Sequence, residues 1–214
     1  MNYCGTFRTY SDYNYRRSGL LGWLKRQHFT KALKIAEQYR RDVAVDFGSG
    51  DGYLVPALSA NYGEVIAVEI REDFRRQIPR TRKVLVTDKL AVRDYVDVVF
   101  ALETLEHIGD RTSVLREIRD AIRKPGVLIA SVPIMTGPTF LVQRLGLWIT
   151  GSHREPMTWK QIVLSLLGMT KAIPWRGGHA GFNHRELERD IDSVFGRLWR
   201  RHRLPFQYVY EIRK

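Results

Sequence analysis

Three acids and a short run of alternating glycines are the residues whose types and spacing could bind a nucleotide-like ligand. Asp46 lies in the apolar run 43–47, and the glycine run 48–52, Gly-Ser-Gly-Asp-Gly, follows it directly. Glu69 and Asp88 each follow a further apolar run. A glycine turn exposes backbone N–H groups to a ligand, while carboxylates accept hydrogen bonds from ligand hydroxyl and amine groups. The acids and the turn therefore indicate a ligand-binding site.

The spacing of the glycines separates this turn from the dinucleotide-binding fingerprint. That fingerprint needs a third glycine three residues after the second, and Tyr53 occupies that position here. The order of strand, glycine turn and helix is nevertheless kept, because a helix is predicted over residues 53–60. Ligands of open α/β sheets bind beside such turns, at the carboxyl ends of parallel strands.

Apolar runs alternate with amphipathic segments along most of the chain, which is typical of a doubly wound, Rossmann-like α/β sheet. Near the C-terminus, only two residues separate the last two predicted strands, so these strands should form an antiparallel hairpin rather than a parallel crossover. The sequence therefore predicts a seven-stranded sheet, mostly parallel with an antiparallel C-terminal hairpin. The predicted strands are 43–47, 65–70, 83–87, 95–101, 126–132, 197–203 and 206–212, and helices are predicted over 53–60, 71–78, 110–123 and 183–194.

Length and composition predict a single domain over residues 1–214, with helices in the first 41 residues covering the sheet. The formal charge of +12 favours an anionic partner, such as nucleic acid, an anionic membrane surface or an acidic substrate. Cys4 is the only cysteine, so an internal disulfide and a cysteine-rich metal site are both excluded. We expect a cytoplasmic protein without a secretory signal or a transmembrane helix, with membrane association left open.

The motifs resemble those of the class I S-adenosylmethionine-dependent methyltransferases. The stretch 43–52 is similar to their motif I. Residues 100–108, Phe-Ala-Leu-Glu-Thr-Leu-Glu-His-Ile, and 123–133, which contains Lys-Pro-Gly, resemble the type 11 methyltransferases of ubiquinone and menaquinone biosynthesis. The resemblance covers residues 43–135 and 177–214 and implies S-adenosylmethionine as the cofactor.

The resemblance also implies a role for each motif residue. Asp46 and the glycine turn would surround the amino-acid end of the cofactor, and Glu69 would accept hydrogen bonds from both ribose hydroxyls. Asp88 would accept a hydrogen bond from the adenine amine. The implied cofactor-binding set is Asp46, Phe47, Gly48, Ser49, Gly50, Gly52, Glu69, Ile70, Asp88, Ala101 and Leu102, of which the last two would line the sulfonium pocket.

His107 is the candidate catalytic base, because a hydroxyl acceptor must lose a proton and histidine titrates near neutral pH. Glu106 could orient its imidazole. A structural role for His107 is an equal alternative, since many members of this fold rely on positioning alone.

A divalent-metal site is the less favoured alternative at the same segment. The spacing Glu103-x-x-Glu106-His107 resembles ubiquinone-pathway O-methyltransferases and small-RNA terminal 2′-O-methyltransferases, some of which bind a metal with a later histidine. That histidine could be His179 here, and carboxylate and imidazole ligands would suit magnesium or manganese.

The apolar segment 134–176 follows the fifth predicted strand, where the family builds its acceptor-binding cap. It predicts a small or lipid-like acceptor, methylated on oxygen or carbon. Plain core packing and peripheral membrane contact are the alternatives for this segment. For the whole chain, the alternatives are an RNA 2′-O-methyltransferase, supported by the charge, and a non-catalytic S-adenosylmethionine-binding protein.

Overall fold

The computed structural model describes residue 15 and residues 19–149, 157–173 and 181–214. Parts of the predicted N-terminal cover and of the predicted cap lie outside these residues. So does His179, the later histidine of the metal hypothesis.

Seven strands form one sheet in the order β3-β2-β1-β4-β5-β7-β6. The first five strands pair in parallel, and β7 runs antiparallel to both β5 and β6. The prediction of a doubly wound sheet with an antiparallel C-terminal hairpin is therefore confirmed. The strands are β1 Val43–Phe47, β2 Glu64–Val68, β3 Val84–Thr87, β4 Val96–Leu102, β5 Ile122–Pro133, β6 Trp199–Arg203 and β7 Gln207–Arg213.

The helices occupy the connections that the sequence pattern predicts, although most are shorter than predicted. Short 3₁₀ turns cover Leu105–His107 and Thr170–Ala172. No helix in the described part of the chain is both long enough and apolar enough to cross a membrane. The helices are α1 Gly19–Ala36, α2 Val55–Asn61, α3 Glu72–Arg75, α4 Arg111–Ala121, α5 Pro138–Ile149, α6 Trp159–Leu166 and α7 His184–Phe195.

Helices cover both faces of the sheet and bury its central strands from two sides. Val43 and Val45 enter the core beneath α4 and α7, whereas Ala44 between them enters the core beneath α1 and α2. Successive side chains of a strand point to opposite faces, so a strand buried on both faces needs a continuous apolar run. This requirement explains the apolar runs that mark the strands in the sequence.

The fifth strand differs from its prediction, because it begins at Ile122 rather than at residue 126. The Lys-Pro-Gly segment therefore lies inside β5, where the register with β4 shifts between Val96 and Val98. A bulge of this kind re-aims one side chain, and here Arg123 donates from its Nε to a carboxylate oxygen of Asp97.

Asp97 ties three strands together at their ends farthest from the glycine turn. Its carboxylate is buried and accepts hydrogen bonds from the backbone N–H groups of Asp42 and Val43, at 3.0 and 2.9 Å. The Arg123 guanidinium neutralises the same carboxylate from β5. A buried carboxylate is stable only when it is paired in this way.

We expect Asp97→Ala to lower the free energy of unfolding by about 3 to 5 kcal/mol, because it leaves the buried Val43 N–H and the partly buried Asp42 N–H without their acceptor and removes the buried carboxylate that pairs with Arg123. Urea unfolding would measure the change. Asp120→Ala is the matched control, since Asp120 forms a largely exposed pair with Arg93, and such pairs contribute about 1 kcal/mol or less. Equal losses in the two variants would contradict the role given to Asp97.

Candidate active site

The candidate site lies outside the carboxyl ends of β1 and β4. These two strands are parallel neighbours, and the chain continues from them to opposite sides of the sheet, to β2 and to β5. Crevices at such a reversal of strand order are where open α/β sheets bind ligands. The glycine turn follows β1 on one side of the crevice, and Glu103 and Thr104 follow β4 on the other.

The glycines of the turn have positive φ angles, which residues with a side chain rarely adopt. Gly48 has a φ of +78°, and a Cβ on it would come within 2.5 Å of the Thr104 side chain. Gly50 has a φ of +56°, but a Cβ there would meet nothing within 4 Å. The first glycine is therefore needed for contact between β1 and β4, whereas the second borders open space where a ligand has room. The N–H groups of Gly48 and Ser49 donate to the Val68 carbonyl, at 2.8 and 3.0 Å, and so fix the turn to the end of β2.

Glu69 is buried directly after β2, and its carboxylate is held from two sides. One oxygen accepts from the Gly50 N–H at 2.9 Å and the other from the Arg71 N–H at 2.8 Å. A carboxylate oxygen has two lone pairs, so each one retains a site for a ligand hydroxyl. The sequence placed Glu69 at a strand end; the structure adds its direct bond to the glycine turn.

Asp46 provides a buried carboxylate beneath the same turn. Its Oδ2 atom makes no hydrogen bond within the described residues. Burial, and secondarily the negative charge of Glu69, raise the pKa of the Asp46 carboxyl to about 7. A cationic ligand group at this position would supply the missing partner and would favour the ionised carboxylate.

Four further residues of the predicted cofactor-binding set fall into two groups. Asp88 and Ile70 are exposed beside Glu69, since the Glu69 N–H donates to the Thr87 carbonyl at 3.0 Å and so places the ends of β2 and β3 together. Ile70 is 80% exposed, which is unusual for an isoleucine and leaves an apolar surface at the crevice. Ala101 and Leu102, in contrast, pack into the two cores of the sheet.

The two predicted catalytic residues lie in different surroundings on the 3₁₀ turn after β4. His107 is exposed, whereas Glu106 is completely buried. Burial, with the nearby charge of Glu103, raises the pKa of the Glu106 carboxyl well above its usual range. A carboxyl that holds its proton more tightly than usual is a weaker partner for an imidazolium.

Glu103 is the centre of a polar group that the sequence analysis did not find. Its φ of +52° is rare for a residue with a side chain and indicates local backbone strain, which often occurs at functional sites. Its carboxylate accepts a hydrogen bond from the Tyr15 hydroxyl at 2.7 Å and another from the Gln207 side-chain amide. These partners are 88 and 104 residues away in sequence, so no local pattern could have indicated them.

Aromatic rings connect Tyr15 to the glycine turn. The Tyr15 ring lies 4.9 Å from the Phe29 ring of α1 and 5.0 Å from the ring of Tyr53, which directly follows the turn. His28 lies completely buried on the same side, and burial lowers the pKa of its imidazole. Tyr15 and α1 thus lie together on one side of the crevice.

No cluster of three potential metal ligands occurs within the residues that the structure describes. Glu103, the first ligand of the metal hypothesis, is engaged by Tyr15 and Gln207. Because His179 lies outside the described residues, the metal hypothesis stays a prediction.

Solved structures show the same fold at low sequence identity. A methyltransferase dependent on S-adenosylmethionine from Aquifex aeolicus is similar over 88% of this chain and 92% of its own, with 12% identity and a TM-score of 0.57. One from Mesorhizobium loti is similar over 89% and 100%, with 14% identity and a TM-score of 0.51. An exported protein candidate from Bordetella parapertussis is similar over 89% and 67%, with 15% identity and a TM-score of 0.61.

The family profile described as a methyltransferase domain, type 11, matches residues 45–130. No protein of curated function matches the sequence. The matched stretch contains the glycine turn, Glu69, Asp88 and the segment after β4. Residues 45–130 therefore contain a methyltransferase domain, and the sheet has the class I, Rossmann-like fold. These findings support methyl transfer from S-adenosylmethionine as the activity, as the motif resemblance predicts.

The site has the chemical groups that this methyl donor needs. The open side of Gly50 offers room, the Glu69 carboxylate offers acceptor sites for two ribose hydroxyls, and Asp46 offers a buried negative charge for the cationic amino-acid end. These residues would hold the donor, and Asp88 would bind its adenine amine.

The raised pKa of Asp46 predicts a pH dependence of donor binding. A cation favours ionised Asp46, so donor affinity should rise close to tenfold between pH 6 and pH 7.5 as this carboxyl loses its proton. Without donor, the same pKa lowers stability as pH rises from about 4 to about 7, because the folded state binds the proton more tightly than the unfolded chain. Calorimetric titrations across this range would measure the affinity. Asp46→Asn should flatten the dependence, and a wild-type affinity independent of pH would contradict the assignment.

Proposed function

We propose that the protein transfers the methyl group of S-adenosylmethionine to an oxygen or carbon atom of a small or lipid-like acceptor. The observation that carries this proposal is the apolar character of α5 and α6, which follow β5 at the donor end of the sheet. Phe140 of α5 is completely buried, whereas Leu145 of α5 and Trp159 of α6 are exposed. Helices that bury one apolar side and expose another at a crevice suit an apolar acceptor.

Methyl transfer requires the acceptor atom to be aligned with the donor methyl group, and it needs no covalent intermediate with the protein. The bound donor supplies an electrophilic methyl group for an in-line displacement. Glu69 and the glycine turn would fix the donor's orientation, and the group of Tyr15, Glu103 and Gln207 would close the crevice against water. For a hydroxyl acceptor, an imidazole nitrogen of His107 would take the hydroxyl proton. His107 is solvent-exposed, so it can pass that proton to water.

Transfer of label from the methyl group of the donor would test the proposal. We expect transfer to phenolic or isoprenoid acceptors, and a loss of at least a hundredfold in kcat for His107→Ala with unchanged donor affinity. His202→Ala on β6 is the matched control, because its imidazole lies 3.7 Å from the Glu211 carboxylate, outside the proposed site. An unchanged rate in His107→Ala would remove His107 as a base and leave catalysis to positioning.

The same assay distinguishes the two alternative functions. An RNA methyltransferase would transfer label into RNA with a strong dependence on salt. The basic residues of β6 give this alternative limited support, because Arg201 pairs with Glu188 and packs over the Tyr208 ring, and Arg203 donates to Thr139. A non-catalytic protein would bind the donor and transfer label to no acceptor.

A further inference from the structure

Exposed apolar side chains form a stripe along α6. Trp159, Val163 and Leu167 follow one another at intervals of four residues, and they are 82%, 49% and 68% exposed. Positions four apart lie on the same side of a helix. Met169, just beyond the helix, is 56% exposed and extends the apolar surface.

Helix α5 carries a second group of exposed apolar residues. Leu141, Val142 and Leu145 are 44%, 60% and 57% exposed. The two helices are joined, because the Gly137 N–H before α5 donates to the Ser165 carbonyl of α6 at 3.2 Å. Single exposed apolar residues are ordinary, whereas groups of them on two packed helices indicate an interaction surface. We call these seven residues the apolar surface.

The charged residues of the segment that contains the apolar surface are almost all positive. In the sequence, Glu155 is the only acid between Gly126 and Phe182. Arg144 and Lys160 lie on the two helices of the apolar surface, each next to one of its members. A protein with a net charge of +12 would meet repulsion if two copies met through such a surface, whereas an anionic surface would be attracted.

A hollow beside Met169 adds further positive charge. It has a volume of about 380 Å³, and three cationic side chains line it together with Glu186. The cations are Lys171, Arg185 and Arg189, from the 3₁₀ turn after α6 and from α7. A hollow with this net charge suits the phosphate of a lipid headgroup next to inserted apolar side chains.

We propose that the apolar surface docks the protein on an anionic phospholipid bilayer. Trp159 and its apolar neighbours enter the boundary between headgroups and acyl chains, where tryptophan is favoured, and the surrounding cations contact the phosphates. This inference extends the proposed function and rests on it in one respect, the lipid-like acceptor. Such an acceptor would reach the crevice from the bilayer, because α5 follows the end of β5 that borders the crevice.

Flotation with vesicles tests the docking directly. We expect the protein to bind vesicles of phosphatidylcholine and phosphatidylglycerol and to bind pure phosphatidylcholine at least tenfold more weakly. The double variant Val163→Glu/Leu167→Glu should bind the mixed vesicles at least tenfold more weakly than the wild type. Leu198→Glu is the matched control, because Leu198 is 61% exposed outside the apolar surface and should leave binding unchanged.

The hollow is tested by removing its cations one at a time. Lys171→Ala and Arg189→Ala should each weaken binding to mixed vesicles about fivefold at low salt. Equal binding to neutral and anionic vesicles would overturn the anionic specificity. Equal vesicle binding by the wild type and the double variant would overturn the apolar surface as the docking site. If the wild type binds no vesicles but self-associates, and the double variant does not self-associate, the surface is instead an interface with a second copy of the chain.

Donor titration without vesicles separates this inference from the proposed function. The double variant should bind S-adenosylmethionine as tightly as the wild type, since its substitutions lie on exposed positions of and beside α6. Normal donor binding and methyl transfer without vesicle binding would overturn the membrane inference alone. Vesicle binding without donor binding would overturn the proposed function alone.

Discussion

Glu69→Ala should weaken the binding of S-adenosylmethionine by at least a hundredfold. The substitution removes the acceptor of two ribose hydroxyls, and hydrogen bonds to a charged group contribute about 1.5 to 3 kcal/mol each. It also releases the Gly50 N–H, which the carboxylate holds at 2.9 Å, and so loosens the glycine turn itself. Isothermal titration calorimetry would measure the affinity, with circular dichroism to confirm the fold.

Two further variants isolate the role of the carboxylate. Glu69→Gln keeps one acceptor oxygen but turns an amide N–H₂ toward a backbone donor, so it should give an intermediate loss. Glu72→Ala is the matched control, because Glu72 lies three residues on, is exposed and forms a surface ion pair with Arg76. An affinity for Glu69→Ala equal to that of Glu72→Ala would remove Glu69 from the pocket.

Gly50→Ala should abolish most donor binding while costing only modest stability. A left-handed backbone costs an L-residue about 1 to 2 kcal/mol, and the added methyl group would meet no protein atom within 4 Å. The methyl group would instead enter the open space that we assign to the donor. We therefore expect a loss of donor affinity of at least tenfold together with a decrease in unfolding free energy of about 1 to 2 kcal/mol.

Gly168→Ala provides the comparison for this prediction. Gly168 follows α6 with a φ of +70°, and a Cβ there would also meet nothing within 4 Å. The two variants should lose similar stability in urea unfolding, but only Gly50→Ala should lose donor binding in calorimetry. Donor affinity lost to the same degree in both would show that general strain, rather than contact with the donor, is responsible.

The sheet and its order of elements could be predicted because local sequence patterns determine them. Strands buried on two faces need continuous apolar runs, and the glycine turn needs residues that tolerate positive φ. The predicted first and last residues of the strands and helices were less accurate, because hydrogen bonds rather than composition determine where a strand or helix ends. The second strand, for example, ends at Val68 rather than residue 70, where the Glu69 side chain accepts the backbone N–H groups.

The donor side of the candidate site was predictable for the same reason, whereas the opposite side was not. Asp46 and Glu69 stand at fixed distances from the glycines in the sequence. Glu103, Tyr15 and Gln207 meet only through the tertiary fold, since they come from the end of β4, the N-terminal segment and the start of β7. The burial of Glu106 beside the exposed His107 likewise depends on how the turn after β4 packs.

Calorimetric titration of the wild-type protein with S-adenosylmethionine and S-adenosylhomocysteine tests the central claim most directly. We predict binding of both ligands at one site per chain with micromolar affinity. The affinity for S-adenosylmethionine should rise with pH as Asp46 ionises. If a preparation shown to be folded gives no binding heat with either ligand, the assignment of the glycine turn as a methyl-donor site is contradicted.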